Sequence, residues 1–194
     1  MLFRSVLGLS EHQMNKDHVY PGGRTDNQLR VLEHLGMLKL DWYAEVRDQV
    51  NDATNKPQPG QREPRSSSLL HQQPADYKHL VNPYVMDQDL TLRARSWLHT
   101  NCSMCHVEAG GGNAKIELEF VTALEKMRLI DEKPVHHTYE LADARLISPG
   151  APERSVLLHR VGLRGAGQMP PLATNRVDEE GLALLREWVK QMKK

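Results

Sequence analysis

The residues best equipped for chemistry are gathered in Cys102-Ser103-Met104-Cys105-His106. These are the only two cysteines in 194 residues. Two thiols at this spacing can add to the two vinyl groups of one haem, and the adjacent imidazole can reach the iron from the proximal side. C-x-x-C-H is the pattern of covalent haem attachment. Two other chemistries use a C-x-x-C pair. A zinc site would want two more ligands at a similar short spacing, and only His136-His137 stands out as a supplement. A thioredoxin-like redox pair would sit after a strand in a βαβ pattern, which the sequence does not show. The cofactor expected is one covalently attached haem, held by Cys102, Cys105 and His106.

An electron-carrying haem of this kind usually has a second axial ligand, and a thioether there raises the reduction potential by favouring ferrous iron. Met169, in Gly167-Gln168-Met169-Pro170-Pro171, is the expected sixth ligand. The glycine before it lets the chain pass close to a macrocycle, and the prolines after it fix the backbone. The other candidates are His136, His137, His159 and Met192. Met192 continues a helical apolar stripe and reads as core. His159 falls in a helix, where a surface or packing role is the default. The pair His136-His137 is the serious rival, and would give bis-histidine ligation.

These residues need elements to position them. Asp89 to Thr100 reads as a helix leading into the haem motif, with Leu90, Ala94, Trp97 and Leu98 on one face and an aspartate to cap its start. Asp178 to Lys190 reads as a closing helix, with Asp178 as N-cap and Leu185, Trp188, Val189 and Met192 on one face. Pro152 to Val161 reads as a third, with Pro152 in its first turn, Gly162 at its exit, and Val156, Leu157 and Val161 as candidates to wall the haem. The Ser148-Pro149-Gly150 turn is a candidate source of the carbonyl that orients His106, with Pro149 the residue expected. Arg160 and Arg164 are candidates to pair with a haem propionate. Between the haem motif and the third helix, Lys115 to Phe120 alternates like a short strand and Val121 to Leu129 suggests a short helix, with no evident chemistry. Gly110-Gly111-Gly112 is not a phosphate loop, because no G-K-[ST] follows, and suits a turn away beside the porphyrin.

From about Leu90 to Met192 the chain resembles a class I cytochrome c domain. A helix into C-x-x-C-H, a Met-Pro loop and a closing amphipathic helix occur in that order. More narrowly, it resembles the C-terminal c-type domains of large bacterial multi-domain and dihaem cytochromes. The residues that carry this are Arg93 to Cys102, Gly110-Gly111-Gly112, Ala142-Asp143-Ala144-Arg145, Ser148 to Leu157 and Met169-Pro170-Pro171. The resemblance implies an all-α fold around one covalent haem c, with the first and last helices packed across each other. Small Ala94 would then sit against Leu185 and Trp188. It also implies attachment of haem outside the cytoplasmic membrane, hence a location that is periplasmic or otherwise outside that membrane.

The length allows one domain plus an appendage. Residues 1–80 are expected to form a helical or irregular appendage and residues 81–194 the haem domain, with the boundary falling within Gln72 to Asp89. Thr25 to Lys39 reads as a helix, and Asn51 to Ser68, rich in Pro, Gln, Ser and charge, as a linker. Met1 to Leu9 is too short and interrupted for an export signal, so the chain is expected to be truncated at its N-terminus. Leu7 to Asn15 and Asn27 to Gly36 are similar to the segment that joins an upstream module to such a domain. With 39% hydrophobic and 5% aromatic residues the core is lean, and a haem would enlarge it. Formal net charge is +0, which argues against nucleic acid as a partner, and no stretch is apolar enough to span a membrane.

The function expected is therefore electron transfer, not catalysis, with iron held by His106 and Met169. Its partner would be a separate redox protein or a fused dehydrogenase or haem module. Two alternatives stay open. One is a haem with an open or labile distal site for a small ligand or peroxide, with His99, His136 or His137 acting there. The other is a zinc or thiol module.

Overall fold

The structure, a computed structural model, describes residues 10–41, 66–108, 110–172 and 174–193. Met1 to Leu9, and most of the linker expected over Asn51 to Ser68, lie outside the described residues. The described residues fall into two compact units that part between His79 and Leu80.

The first unit is built on turns and side-chain hydrogen bonds more than on apolar burial. A short helix α1 (Glu11–Met14) leads into a hairpin of β1 (Asp17–Val19) and β2 (Thr25–Asn27), followed by α2 (Gln28–His34). The hairpin register pairs Asp17 with Asn27 and Val19 with Thr25. Its turn is Tyr20-Pro21-Gly22-Gly23-Arg24, and Gly22 and Gly23 take φ of 89° and 77°, values open to glycine at no steric cost. The helix expected from Thr25 is accordingly shorter at its front, because Thr25 to Asn27 spend their backbone groups on the ladder. Asn27 then caps α2 by accepting from the Leu29 N–H. A second ladder joins β3 (Leu40–Asp41) to β4 (Ser66–Ser67). These two ladders depart from the expectation of an all-α chain. Buried Asn15 ties the unit together by donating to the carbonyls of Pro74 and Tyr77 and accepting from Asn27.

The second unit holds the three longer-range helices: α3 (Leu90–Cys102), α4 (Val156–Gly162) and α5 (Glu179–Gln191). Asp89 caps α3 through the Leu92 N–H, and Asp178 caps α5 through the Gly181 N–H. The apolar faces of α3 and α5 pack together, and α4 packs on α5. Ala94, Leu98, Leu185 and Val189 are wholly buried in this contact, with Trp97 and Trp188 nearly so. Burying each large apolar side chain contributes about 1.5–3 kcal/mol, so this seam supplies much of the unit's stability.

At its polar end the seam is fixed by one carboxylate. Trp97 Nε1 donates to Asp178 Oδ2 at 2.7 Å and Tyr84 Oη donates to the same oxygen at 2.6 Å. Gly181 makes this possible: an added Cβ would collide with Trp97 Nε1 and Asp178 Oδ2.

Residues 115–130 form neither the strand nor the helix expected. Ile116, Leu118 and Phe120 are buried as the alternation requires. Their segment has no ladder partner, and its amides go elsewhere: Glu117 to the Met127 carbonyl, Leu118 to the His106 carbonyl, Phe120 to His99 Nδ1. Beyond them only a single 3-10 turn, Leu124–Lys126, is helical. Pro152–Arg154 is likewise a 3-10 turn, after which α4 begins.

Candidate haem site

Cys102 is the last residue of α3, and the backbone winds on past it. The Cys105 and His106 amides both donate to the Cys102 carbonyl, at 3.2 and 3.0 Å. One carbonyl at the helix end thus spaces all three residues of the motif. Ser103, buried in the turn, returns its hydroxyl to the His99 carbonyl at 2.7 Å. Cys102 packs against the helical core, whereas Cys105 and Met104 are exposed. Burial, with Cys105 adding to it, pushes the Cys102 thiol up to about 12. Burial thus disfavours the free thiolate that would attack a disulfide.

The triple glycine does not lead the chain away. It folds back on the motif, with the Gly112 N–H donating to the Cys105 carbonyl at 3.0 Å. A Cβ on Gly112 would stand 2.7 Å from His106 Nδ1, and one on Gly110 would collide with the Cys105 carbonyl. Gly112 is thus a wall against one edge of the imidazole, and Gly110 lets the chain close on the Cys105 carbonyl, whereas Gly111 has open space around it. Nδ1 itself is buried without a hydrogen-bond partner, so the Pro149 carbonyl expected to orient it does not do so. Burial lowers the His106 pKa, Arg160 adds to that, and Ala114 opposes it. The net direction favours the neutral ring, the form that ligates a metal.

Met169 lies in the loop after α4, half-buried. Its N–H donates to the Arg160 carbonyl at 3.0 Å, and Arg160 Nε donates to the Gly167 carbonyl at 2.8 Å. Gln168 stitches the loop from the other side, bonding the Gly165 amide and the carbonyls of Pro170 and Thr174. The Met169–Pro170 bond is cis. Arg160 is thus the shared residue: its charge bears on His106, and its backbone and side chain hold the Met169 loop. Nothing in the sequence marked it out from Arg164. Arg164 is committed to its own loop, donating to the carbonyls of Val161, Leu163 and Arg176 and to the Thr174 hydroxyl. Arg160 keeps its two terminal nitrogens without hydrogen-bond partners among the described residues, and so retains donors for a carboxylate.

The other candidates are placed differently. His136 and His137 are exposed on a loop, and His159 is exposed on α4. His99 is buried and accepts the Phe120 N–H on Nδ1 at 3.1 Å, so that nitrogen serves the fold. Neighbouring Arg95 holds the same segment by donating to the carbonyls of Glu119, Phe120 and Thr122. Val161, expected to wall the haem, belongs to the helical core, while Leu157 is half-buried at its margin. Met192 packs on that core at the end of α5. Among the described residues, no three of His, Cys, Asp or Glu gather where they could hold one ion.

These residues fit a covalent haem. They offer two sulfurs spaced along one turn, an imidazole braced on one edge with its Nδ1 buried and orphaned, and an anchored methionine. No family model matches this chain, and no curated protein or solved structure is similar to it.

Proposed function

We propose that this chain is a single-haem c-type cytochrome module that transfers electrons. The observation that carries the reading is the His106 imidazole, braced by Gly112 at the end of the helix that presents Cys102 and Cys105. The two sulfurs and the imidazole do not converge on a point, as a lone ion would require, but a macrocycle is tethered at its rim and ligated at its centre. When bound, haem c supplies one-electron ferric/ferrous chemistry.

The chain's own residues then do the following. Cys102 and Cys105 would tether the haem, and His106 and Met169 would ligate its iron. Gly112 would set the plane of the imidazole by closing off one edge of the ring. Arg160 offers charge to a propionate and holds the Met169 loop. With His106 and Met169 both on the iron no position would be left for substrate, and the role would be carriage to or from another redox protein or module. Covalent attachment places it outside the cytoplasmic membrane. Among the described residues no helix is long and apolar enough to cross one.

The test is the visible spectrum, oxidised and dithionite-reduced, of protein exported with the haem maturation machinery. Sharp reduced α and β bands, together with the weak far-red band of ferric iron on methionine sulfur, are the expected result. Loss of all haem on denaturing extraction would overturn the reading. Carbon monoxide binding to reduced wild type would replace the carrier with a ligand-binding haem.

A further inference from the structure

We infer that Tyr139 is a positioning residue for the Met169 loop, an inference that rests on Met169 being the sixth ligand. Tyr139 lies in the loop before α4, two residues after His137. Its φ is +53° and that of Glu140 is +59°, two consecutive side-chain-bearing residues in the left-handed region. Such conformations are uncommon and costly, and persist where the surroundings hold them.

The turn delivers the phenol ring to one place. Its centroid lies 5.8 Å from the Arg160 guanidinium carbon and 4.9 Å from the His159 ring. It also fills the space left by the missing side chain of Gly167, where a Cβ would stand 3.1 Å from both Cε1 and Oη of Tyr139. Arg160 and Gly167 are the two residues already bonded to each other beside Met169. The ring therefore closes a stack of its own loop, α4 and the methionine loop.

The core is not what this stack serves. The buried face of α4 is Val156, Leu158 and Val161, whereas His159 is exposed and Arg160 half-exposed on the other side. What the ring holds is the guanidinium in the orientation that grips Gly167, and with it the loop whose next-but-one residue is Met169. Loosening the stack should free the loop without unfolding the helices.

The test uses the full chain as wild type, Tyr139→Phe and Tyr139→Leu; all three keep a side chain at the strained φ, so backbone strain is matched. Amide exchange is read at Met169 in haem-free and haem-loaded protein. Losing one partly exposed cation–π contact should speed Met169 exchange about five-fold in Tyr139→Leu. Amides of α3 and α5 should not change, and Tyr139→Phe should exchange as wild type does. In the loaded protein, Tyr139→Leu should weaken the far-red band and admit carbon monoxide, and Tyr139→Phe should restore wild-type behaviour. Equal Met169 exchange in all three proteins overturns the inference, as does a Tyr139→Phe that behaves like Tyr139→Leu. A wild type that retains no haem sinks the cytochrome reading instead, while exchange in the haem-free chain still decides whether the ring holds the loop.

Discussion

Gly112 has the least chemistry of any residue at the site and one of the tightest constraints. A methyl group there meets His106 Nδ1 at 2.7 Å and Cε1 at 2.9 Å, so the imidazole must turn or shift. Gly112→Ala is expected to keep covalent haem, because the two cysteines are untouched, but to spoil axial ligation. The sharp reduced α band should broaden, and carbon monoxide should bind. An unaltered spectrum would show that the wall does not set the ring. Met169 makes the complementary prediction. Met169→Ala removes a soft ligand that favours ferrous iron, so the potential should fall by on the order of 0.1 V or more, within the ~0.8 V that axial ligands span. The far-red band should disappear with it. A variant with the same potential and closed coordination means that another residue ligates, and exposed His136 and His137 would then be examined. The grouping of Cys102, Cys105 and His106 at the end of a helix was legible from sequence, because C-x-x-C-H is a local signal. The sequence also named Arg160 and the triple glycine, but not the hold of Arg160 on the Met169 loop or the brace of Gly112 on His106, because those come from how the chain returns on itself.

At the scale of elements, the two long helices were readable and the insert was not, for one physical reason. Leu98, Trp97, Leu185 and Val189 recur at helical spacing and are buried, and both helices carry an aspartate cap. Residues 115–120 show an equally regular alternation, but a strand exists only through a neighbour, and here the amides find a helix side chain and two loop carbonyls. What sequence could not foresee in the helices is their junction at Asp178. Burial works against the charge of this carboxyl. The bonds from Tyr84, Trp97 and the Gly181 amide outweigh it and hold the group below its usual range. Asp178→Ala removes a cap worth about 1 kcal/mol and leaves the Trp97 indole N–H unpaired for another 1–3 kcal/mol. A loss of roughly 2–4 kcal/mol is expected in denaturant unfolding, and a change under 0.5 kcal/mol would contradict the junction.

The same node gives a pH dependence of definite sign. A carboxyl whose pKa is lower in the folded state stabilises it above the ordinary value of 3.8, and that contribution is lost as pH falls through the lower folded value. Tyr84 behaves oppositely. Burial first, then Asp178, pushes it from 10.0 to about 12, so its contribution is complete below pH 10 and lost as pH rises through 12. Stability against pH should show an acid limb that vanishes in Asp178→Asn and an alkaline limb that shrinks there, since burial of Tyr84 remains. An acid limb of unchanged size in that variant would assign it to other carboxylates.

The distribution of apolar burial over the whole molecule decides which part can stand alone. Every residue of the main hydrophobic cluster, from Ala94 to Val189, lies in the second unit, as do the partly buried residues packed on it. Among the described residues of the first unit, Leu29 is the one hydrophobic side chain of the core type, and buried Asn15 does much of the tying. Polar networks of that kind add little net free energy, because each bond replaces one to water. Cooperative unfolding should therefore belong to the second unit. A chain of residues 80–194, exported with the maturation machinery, is expected to retain covalent haem and to melt in one transition close to that of the full chain. Residues 10–79 alone should show no cooperative melt. If the shorter haem chain instead melts far lower, or loses the far-red band, the first unit contributes directly to the haem site, and the lean core of the second unit is not sufficient to position His106 and Met169.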